Sequence, residues 1–256
     1  MLQEERYSEI YEILKQRGSA TVQFLSRQLF VSEATIRRDL EVMEERGLIR
    51  RIWGGAMLPA AGREIPPFAR IKSNSDKKKK IAAIAAPLLK NSMSVSFDSS
   101  TSCLALVPYI AKLKDIIVIT SSLLMSKQLT EQTSAEVILT GGMVYENYVL
   151  SGLSAIDNIK RYHTDICFFS CSGISTHAGI TSVDHRVVEV CREMMKNSSL
   201  SVLLCDTSKV GKTALVRLAE LSDPDYIIMD KVPDDPELVS LLGDRLITDS
   251  RQLRGR

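Results

Sequence analysis

Long apolar runs are missing from this sequence, and so are the cysteine and histidine spacings that announce metal sites. A stretch such as AAIAAPLL is far shorter than the roughly 20 residues that span a bilayer, and it contains a proline. The opening MLQEERYSEI is polar and acidic with no apolar signal-peptide core, so a cytoplasmic protein without a membrane partner is expected. The 5 cysteines (Cys103, Cys167, Cys171, Cys191, Cys205) are odd in number and form no CxxC pair. They read as buried free thiols, not as a disulfide framework or zinc ribbon. The 3 histidines, His163, His177 and His185, suggest neither a ligand set nor a Ser-His-Asp arrangement. No metal and no cofactor is expected. GKT at 211–213 fails as a phosphate loop, because its required first glycine falls on Asp206.

Net charge is also scarce, at +2, but it is unevenly placed. Residues 1–49 carry 7 Arg/Lys against 9 Asp/Glu, whereas residues 50–80 carry 9 against only Glu64 and Asp76. The positive excess therefore falls after the first segment, where it could meet phosphates.

The first segment reads as helices and a hairpin. Ile10, Ile13 and Leu14 keep helical spacing up to Gly18. Thr21 can cap a second helix carrying Val22, Leu25 and Leu29, and Ser32 can cap a third that runs to about Arg46 and ends at Gly47. LIRRIWGGA then gives two short strands around a turn, the order of a winged helix-turn-helix over 1–57. Residues 58–75, rich in Pro, Ala and Gly, read as a linker. Residues 76–256 begin with a helix capped by Asp76, then alternate helices with the apolar runs MSVSF, IIVIT, EVILT, DICFFS, LSVLLC and DYIIM. Strands buried on both faces look like this, so the fold class is α/β with a mainly parallel sheet.

On a wheel of about 100° per residue, Leu40 and Met43 fall within about 40° of Ile36, forming the buried stripe of the third helix. The opposite face carries Ala34, Thr35, Arg37 and Arg38 near the N-terminal end, with Arg38 pointing farthest from the core. In a helix-turn-helix that end enters the major groove, where arginine reads guanine and alanine or threonine meets a thymine methyl. The alternative is a solvated helix face; capping and the basic hairpin that follows favour the DNA reading. Asp39 lies on the wrong side for DNA and is expected to pair internally with Arg27 or another base. Thr21, Ser32, Arg50, Arg51 and Trp53 complete the expected DNA-facing set.

VSEATIRRDLEVMEERGLIRRIWGGA resembles the signature of the DeoR family of bacterial transcription regulators, and the likeness extends over essentially the whole chain. The resemblance implies double-stranded operator DNA as partner and a sensor domain related to sugar-phosphate isomerases and CoA transferases. It also implies control by a phosphorylated sugar or related anion. A symmetric dimer or tetramer would suit repeated half-sites. Phe30 stands where the family often has glycine or another small or polar turn residue. Trp53 stands where it usually has histidine; the tryptophan could pack on the DNA backbone or plug the hairpin against helix three.

In the sensor domain, FDSSTS (97–102) follows a strand and opens a helix at about Cys103. The hydroxyls and N–H groups around Asp98, Ser99, Ser100, Thr101 and Ser102 suit a phosphate, although one or two of them would suffice as a cap. Further strand ends, Thr120–Ser122, Gly141–Gly142 and Ser170–Gly173, should converge on the same edge. Against the family pattern, Ser100 replaces a glycine, Ser102 a threonine, Ser121 an asparagine, Tyr145 an arginine and Ser172 an aspartate. Asp206, Ser208 and Lys209 match the family's D-x-S-K, which makes Lys209 the candidate anion contact. Glu189 matches a family glutamate, either a ligand contact or a helix-surface charge. An isomerase would need a carboxylate base, for which Asp98, Asp184 and Glu189 are the candidates, but no paired acid/base motif stands out. The expected function is therefore a transcriptional regulator and not an enzyme. A sugar-phosphate isomerase with an accessory DNA-binding domain, or a ligand-blind DNA binder, is the alternative.

Overall fold

The computed structural model describes residues 2–45, 48–58, 70–71, 73–145 and 148–253. Most of the expected linker, together with Arg46 and Gly47, lies outside them. The chain divides into two compact units, Met1–Ser75 and Asp76–Arg256.

In the first unit, α1 (Gln3–Arg17), α2 (Val22–Leu29) and α3 (Glu33–Glu45) pack around Ile10, Leu14, Leu25, Ile36, Leu40 and Met43. Three short strands, β1 (Ser19–Thr21), β2 (Arg50–Ile52) and β3 (Gly55–Met57), form an antiparallel sheet in the order β1-β3-β2. The expected hairpin is therefore two strands of three; β1 is too short to show an alternating pattern. Both glycines of WGGA have a backbone reason. Gly54 adopts φ +73° in the wing turn, and a Cβ on Gly55 would lie 2.1 Å from the Ala20 carbonyl oxygen of β1.

The second unit is built on a seven-stranded parallel sheet. Its strands are β4 (Ser94–Phe97), β5 (Ile117–Thr120), β6 (Glu136–Leu139), β9 (Ile166–Phe169), β12 (Ser201–Leu204), β14 (Tyr226–Ile228) and β15 (Leu246–Ile247). The spatial order is β15-β14-β12-β9-β4-β5-β6. Every expected apolar run is a strand of it. The side-chain period of 2 sends Phe168 and Ile166 into one core and Cys167 and Phe169 into the other. The first core is filled from α4 (Ser75–Ala85), α5 (Thr101–Leu104), α6 (Val107–Ile110) and α7 (Leu123–Gln132). The second is filled from α8 (Leu153–Ile159), α9 (His185–Lys196) and α10 (Pro236–Leu242). Small antiparallel sheets, β7 (Met143–Tyr145) with β8 (Val149–Ser151), and β10 (Gly173–Ser175), β11 (Gly179–Ser182) and β13 (Val216–Ala219), were not foreseen, nor was β15.

The chain lays down β4, β5 and β6 in one direction, then returns to place β9 on the other side of β4 and continues outward. The strand order reverses between β4 and β9. In open α/β sheets, ligands bind at the carboxyl ends of strands beside such a reversal.

Candidate DNA interface and anion-binding edge

The helix-turn-helix is locked by its turn. Thr21 Oγ1 accepts from Phe24 N at 3.1 Å to cap α2, and Ser32 Oγ accepts from Thr35 N at 3.1 Å to cap α3. Between them Phe30 closes α2 in the left-handed region at φ +54°, with its ring 93% exposed. Ser26 fixes the turn by donating to the Val31 carbonyl at 2.6 Å. Ile36, Leu40 and Met43 are buried, which leaves Ala34, Arg37 and Arg38 exposed and Thr35 half-buried, its hydroxyl 2.9 Å from that of Ser32. Arg37 pairs with Glu33 at 3.0 Å, an exposed pair that is easily exchanged for another anion. Arg38 makes no ion pair among the described residues.

Asp39 is buried, as its place beside the core stripe requires, but its partner is Arg6 and not Arg27. The contact is bidentate, Nε to Oδ2 at 2.7 Å and Nη2 to Oδ1 at 2.9 Å, and the carboxylate raises the Arg6 pKa further. Arg27 is exposed. Trp53 is fully exposed, so the plug reading is overturned: its ring touches no core. Arg50 and Arg51 are exposed as well, with the Arg51 backbone anchored to Glu44 at 2.7 Å. A cleft between α3 and the wing is lined by Thr21, Gln23, Glu33, Arg37, Arg51 and Trp53.

In the second unit the loops after β4, β5, β6, β9, β12 and β14 share one sheet edge. At the reversal, buried Asp98 joins two of them: Oδ1 accepts from Ser100 N and Oδ2 from Ser170 N, each at 2.9 Å. This carboxylate is engaged by backbone donors and is not set up as a base. Helix α5 starts at Thr101, not Cys103, because Ser100 Oγ accepts from Cys103 N at 3.2 Å. Ser99 is half-buried and Thr101 and Ser102 are buried. Beside them, Lys209 Nζ donates to Ser170 Oγ at 2.9 Å and stands 3.9 Å from Asp206 Oδ2. Ser170 Oγ in turn donates to the Leu204 carbonyl at 2.6 Å. Lys209 is thus aimed at the reversal, not a free surface lysine. Asp206 is buried and caps the turn at Thr207–Lys209, accepting from Ser208 N at 3.0 Å and from the Ser208 hydroxyl.

The remaining expected residues divide. Ser122 caps α7, its Oγ accepting from Met125 N, while Thr120 Oγ1 accepts from Ser122 N and the Ser121 carbonyl from Leu150 N at 2.7 Å. Gly141 and Gly142 both have positive φ, and a Cβ on Gly142 would meet the Ser151 carbonyl oxygen at 2.5 Å. A Cβ on Gly173 would lie 2.3 Å from the Lys212 carbonyl oxygen, and the neighbouring Ser172 N donates to Thr181 O. Glu189 is exposed on α9 with no hydrogen bond to these loops among the described residues. Tyr145, where the resemblance leads to an arginine, still meets one: the Arg186 guanidinium lies 3.2 Å above its ring centroid. Asp184 orients that guanidinium through bonds of 3.0 and 2.8 Å, and Arg186 holds the Asp184 carboxyl below its usual range.

Ser170 was expected only as part of its strand-end turn, and Asp230 and Lys77 were not among the expected site residues. Asp230 accepts from Thr207 N at 2.7 Å and Lys77 Nζ donates to Thr207 Oγ1 at 3.1 Å. The signal for Asp230 was legible, since it follows the apolar run DYIIM as Asp98 follows MSVSF. Lys77 also corrects the reading of the basic run: it is committed to Thr207 and Lys78 is buried, leaving Lys79 and Lys80 exposed.

A capped helix-turn-helix with an exposed arginine that makes no ion pair among the described residues on its outer face, joined to an α/β unit with a polar strand edge, defines a DNA-binding protein with a separate sensor domain. Residues 6–61 match the DeoR-like helix-turn-helix domain and residues 73–231 match the DeoR C terminal sensor domain. The chain belongs to the DeoR family and is a sequence-specific DNA-binding transcriptional regulator. It is 35% identical to the HTH-type transcriptional regulator GolR of Listeria innocua over 88% of this chain and 90% of that one. It is likewise 35% identical to the HTH-type transcriptional repressor GlcR of Bacillus subtilis, over 91% of each. The glycerol-3-phosphate regulon repressor of Escherichia coli is 28% identical over 91% of this chain and 93% of its own. These relatives are named as regulators, not enzymes. Among solved structures, ribose 5-phosphate isomerase A of Methanocaldococcus jannaschii is similar at a TM-score of 0.41, with 16% identity over 54% of this chain and 55% of that one. That likeness is too slight to carry a reaction across. No helix among the described residues is long and apolar enough to cross a membrane.

Proposed function

We propose that this regulator is a cytoplasmic repressor that occupies a specific double-stranded operator as a dimer or tetramer, under the control of a phosphorylated sugar or related small anion. In the first unit, Arg38 reads a base edge, Ala34 and Thr35 supply apolar contacts, and Arg37 exchanges Glu33 for DNA. Thr21, Ser32, Arg50, Arg51 and Trp53 meet the backbone. In the second unit the anion lies at the strand edge, held by Lys209 and by the hydroxyls and N–H groups of Ser99–Ser102, with Ser121 and Gly141–Gly142 bordering it. Asp98, Thr120, Ser122, Gly173 and Asp206 shape the loops. The exposed Glu189 is left at the rim.

The observation that carries this reading is the Lys209 ammonium delivered to Ser170 at the strand-order reversal. A cation built into a polar sheet edge suits an anionic ligand. Relatives named as repressors, one of a glycerol-3-phosphate regulon, point to the ligand class. The test is a thermal-shift panel of glycerol 3-phosphate, glucose 6-phosphate, fructose 1-phosphate, ribose 5-phosphate and inorganic phosphate. A ligand at 100 times its Kd stabilises the fold by about 2.7 kcal/mol. One sugar phosphate should raise Tm well beyond inorganic phosphate, and Lys209→Met should abolish the rise. Equal, negligible shifts across the panel would contradict the sensor reading.

A further inference from the structure

Two thiols that the proposed function does not use face each other at the same edge. Leu203 of β12 pairs with Phe169 of β9, and two residues farther along both strands Cys205 and Cys171 lie side by side, their sulfurs 3.7 Å apart. Both belong to one packed face, beyond the last paired residues of the two strands. Adjacent strands run about 4.8 Å apart, within reach of the Cα separations that disulfides span. A bond of about 2.05 Å requires the sulfurs to approach by less than 2 Å. Among the described residues no other two thiols lie within hydrogen-bond distance, and Cys103 is committed to the Phe168 carbonyl at 3.3 Å.

We propose that Cys171 and Cys205 are a redox site that closes to an intrachain disulfide when hydrogen peroxide reaches it, and that closure alters operator affinity. The partners have different parts. Cys171 retains slight exposure, at 7%, whereas Cys205 has none. A thiolate at Cys171 would accept the Cys205 S–H and sits near the Lys209 ammonium, which together lower its pKa, while burial raises those of Cys103, Cys167 and Cys191.

Cys171 attacks one peroxide oxygen; an S–O bond forms, the O–O bond breaks, and hydroxide leaves as water with the thiol proton. Cys205 then attacks the sulfenic sulfur; the S–S bond forms, the S–O bond breaks, and a second water carries away the Cys205 proton. The two thiols lose two electrons in all, and the peroxide is reduced to two waters.

Closure acts on the neighbouring residues. Ser170, which precedes Cys171, holds Lys209, and Asp206, which follows Cys205, caps the turn at Thr207–Lys209. That turn receives Lys77 of α4, the helix with which the second unit begins. Drawing the two sulfurs together therefore strains the turn that Lys77 meets at the start of the second unit. Disulfide formation does not depend on whether a sugar phosphate binds there.

The test treats reduced full-length protein with hydrogen peroxide, then counts thiols with a chromogenic disulfide reagent after denaturation and measures intact mass. Operator affinity is read by anisotropy on a duplex selected from a random library by the reduced protein. The thiol count should fall by two with a loss of two mass units. Operator Kd should change at least threefold and recover with dithiothreitol. Cys171→Ser and Cys205→Ser should show neither effect, and Cys167→Ser should show both; where a serine variant fails to fold, alanine at the same position replaces it. An unchanged thiol count, a loss of two that persists in Cys171→Ser, or a disulfide with unaltered affinity would overturn the proposal.

Discussion

Arg38 and Asp39 are neighbours in sequence with opposite surroundings. One turns its charge outward with no ion pair among the described residues, and the other is buried against Arg6. Arg38→Ala should therefore weaken operator binding by about 1–3 kcal/mol and relax preference at one base pair, with Tm unchanged. A salt-controlled gel shift showing wild-type affinity would remove Arg38 from the interface. Arg6→Met should do the reverse at the level of the fold: Asp39 is left buried and alone, at a cost of about 3 kcal/mol, measured by urea unfolding. The helical wheel made the inward turn of Asp39 legible. Its partner was not legible, because Arg6 lies 33 residues away and only packing of α1 on α3 brings the two together. Trp53 was open in the sequence because an amphipathic ring suits either setting; in the structure it is fully exposed.

Among elements, α3 illustrates how capping and burial divide the work. Ser32 starts the helix and Ile36, buried completely, holds it to the core, so Ile36→Ala should cost about 2–5 kcal/mol. The measurement is unfolding of the full chain; a loss below 1 kcal/mol would mean that the stripe is misassigned. The turn before it holds Phe30 in a conformation that suits glycine, with a ring that buries almost nothing. Phe30→Gly should raise stability by up to about 1 kcal/mol, the relief of a left-handed residue less the greater chain freedom of glycine. A clear loss in the same unfolding measurement would contradict this. The sequence displayed elements long enough to show a period: the three helices and the sheet strands with continuous apolar runs. It hid β1, β7, β8, β10, β11, β13 and β15, which carry no continuous apolar run: β7–β8 and β10–β11 are short hairpins, and β1, β13 and β15 pair with strands farther off in sequence. The loops after the strands could be named from composition. Which of their groups meet could not, because Asp98 with Ser170 and Lys209 with Ser170 are set by strand order.

At the scale of the whole chain, one unit carries an outward basic face and the other a polar sheet edge centred on a reversal of strand order. For the second to control the first, a ligand must bind the DNA-competent and DNA-free states with different affinity. The most direct measurement is operator Kd for the full-length protein with and without the sugar phosphate that raises its Tm most, repeated with Lys209→Met. The wild-type Kd should shift at least tenfold at saturating ligand, about 1.4 kcal/mol of coupling, and the Lys209→Met Kd should not move. An operator Kd that is the same in wild-type protein with and without saturating ligand would contradict the account.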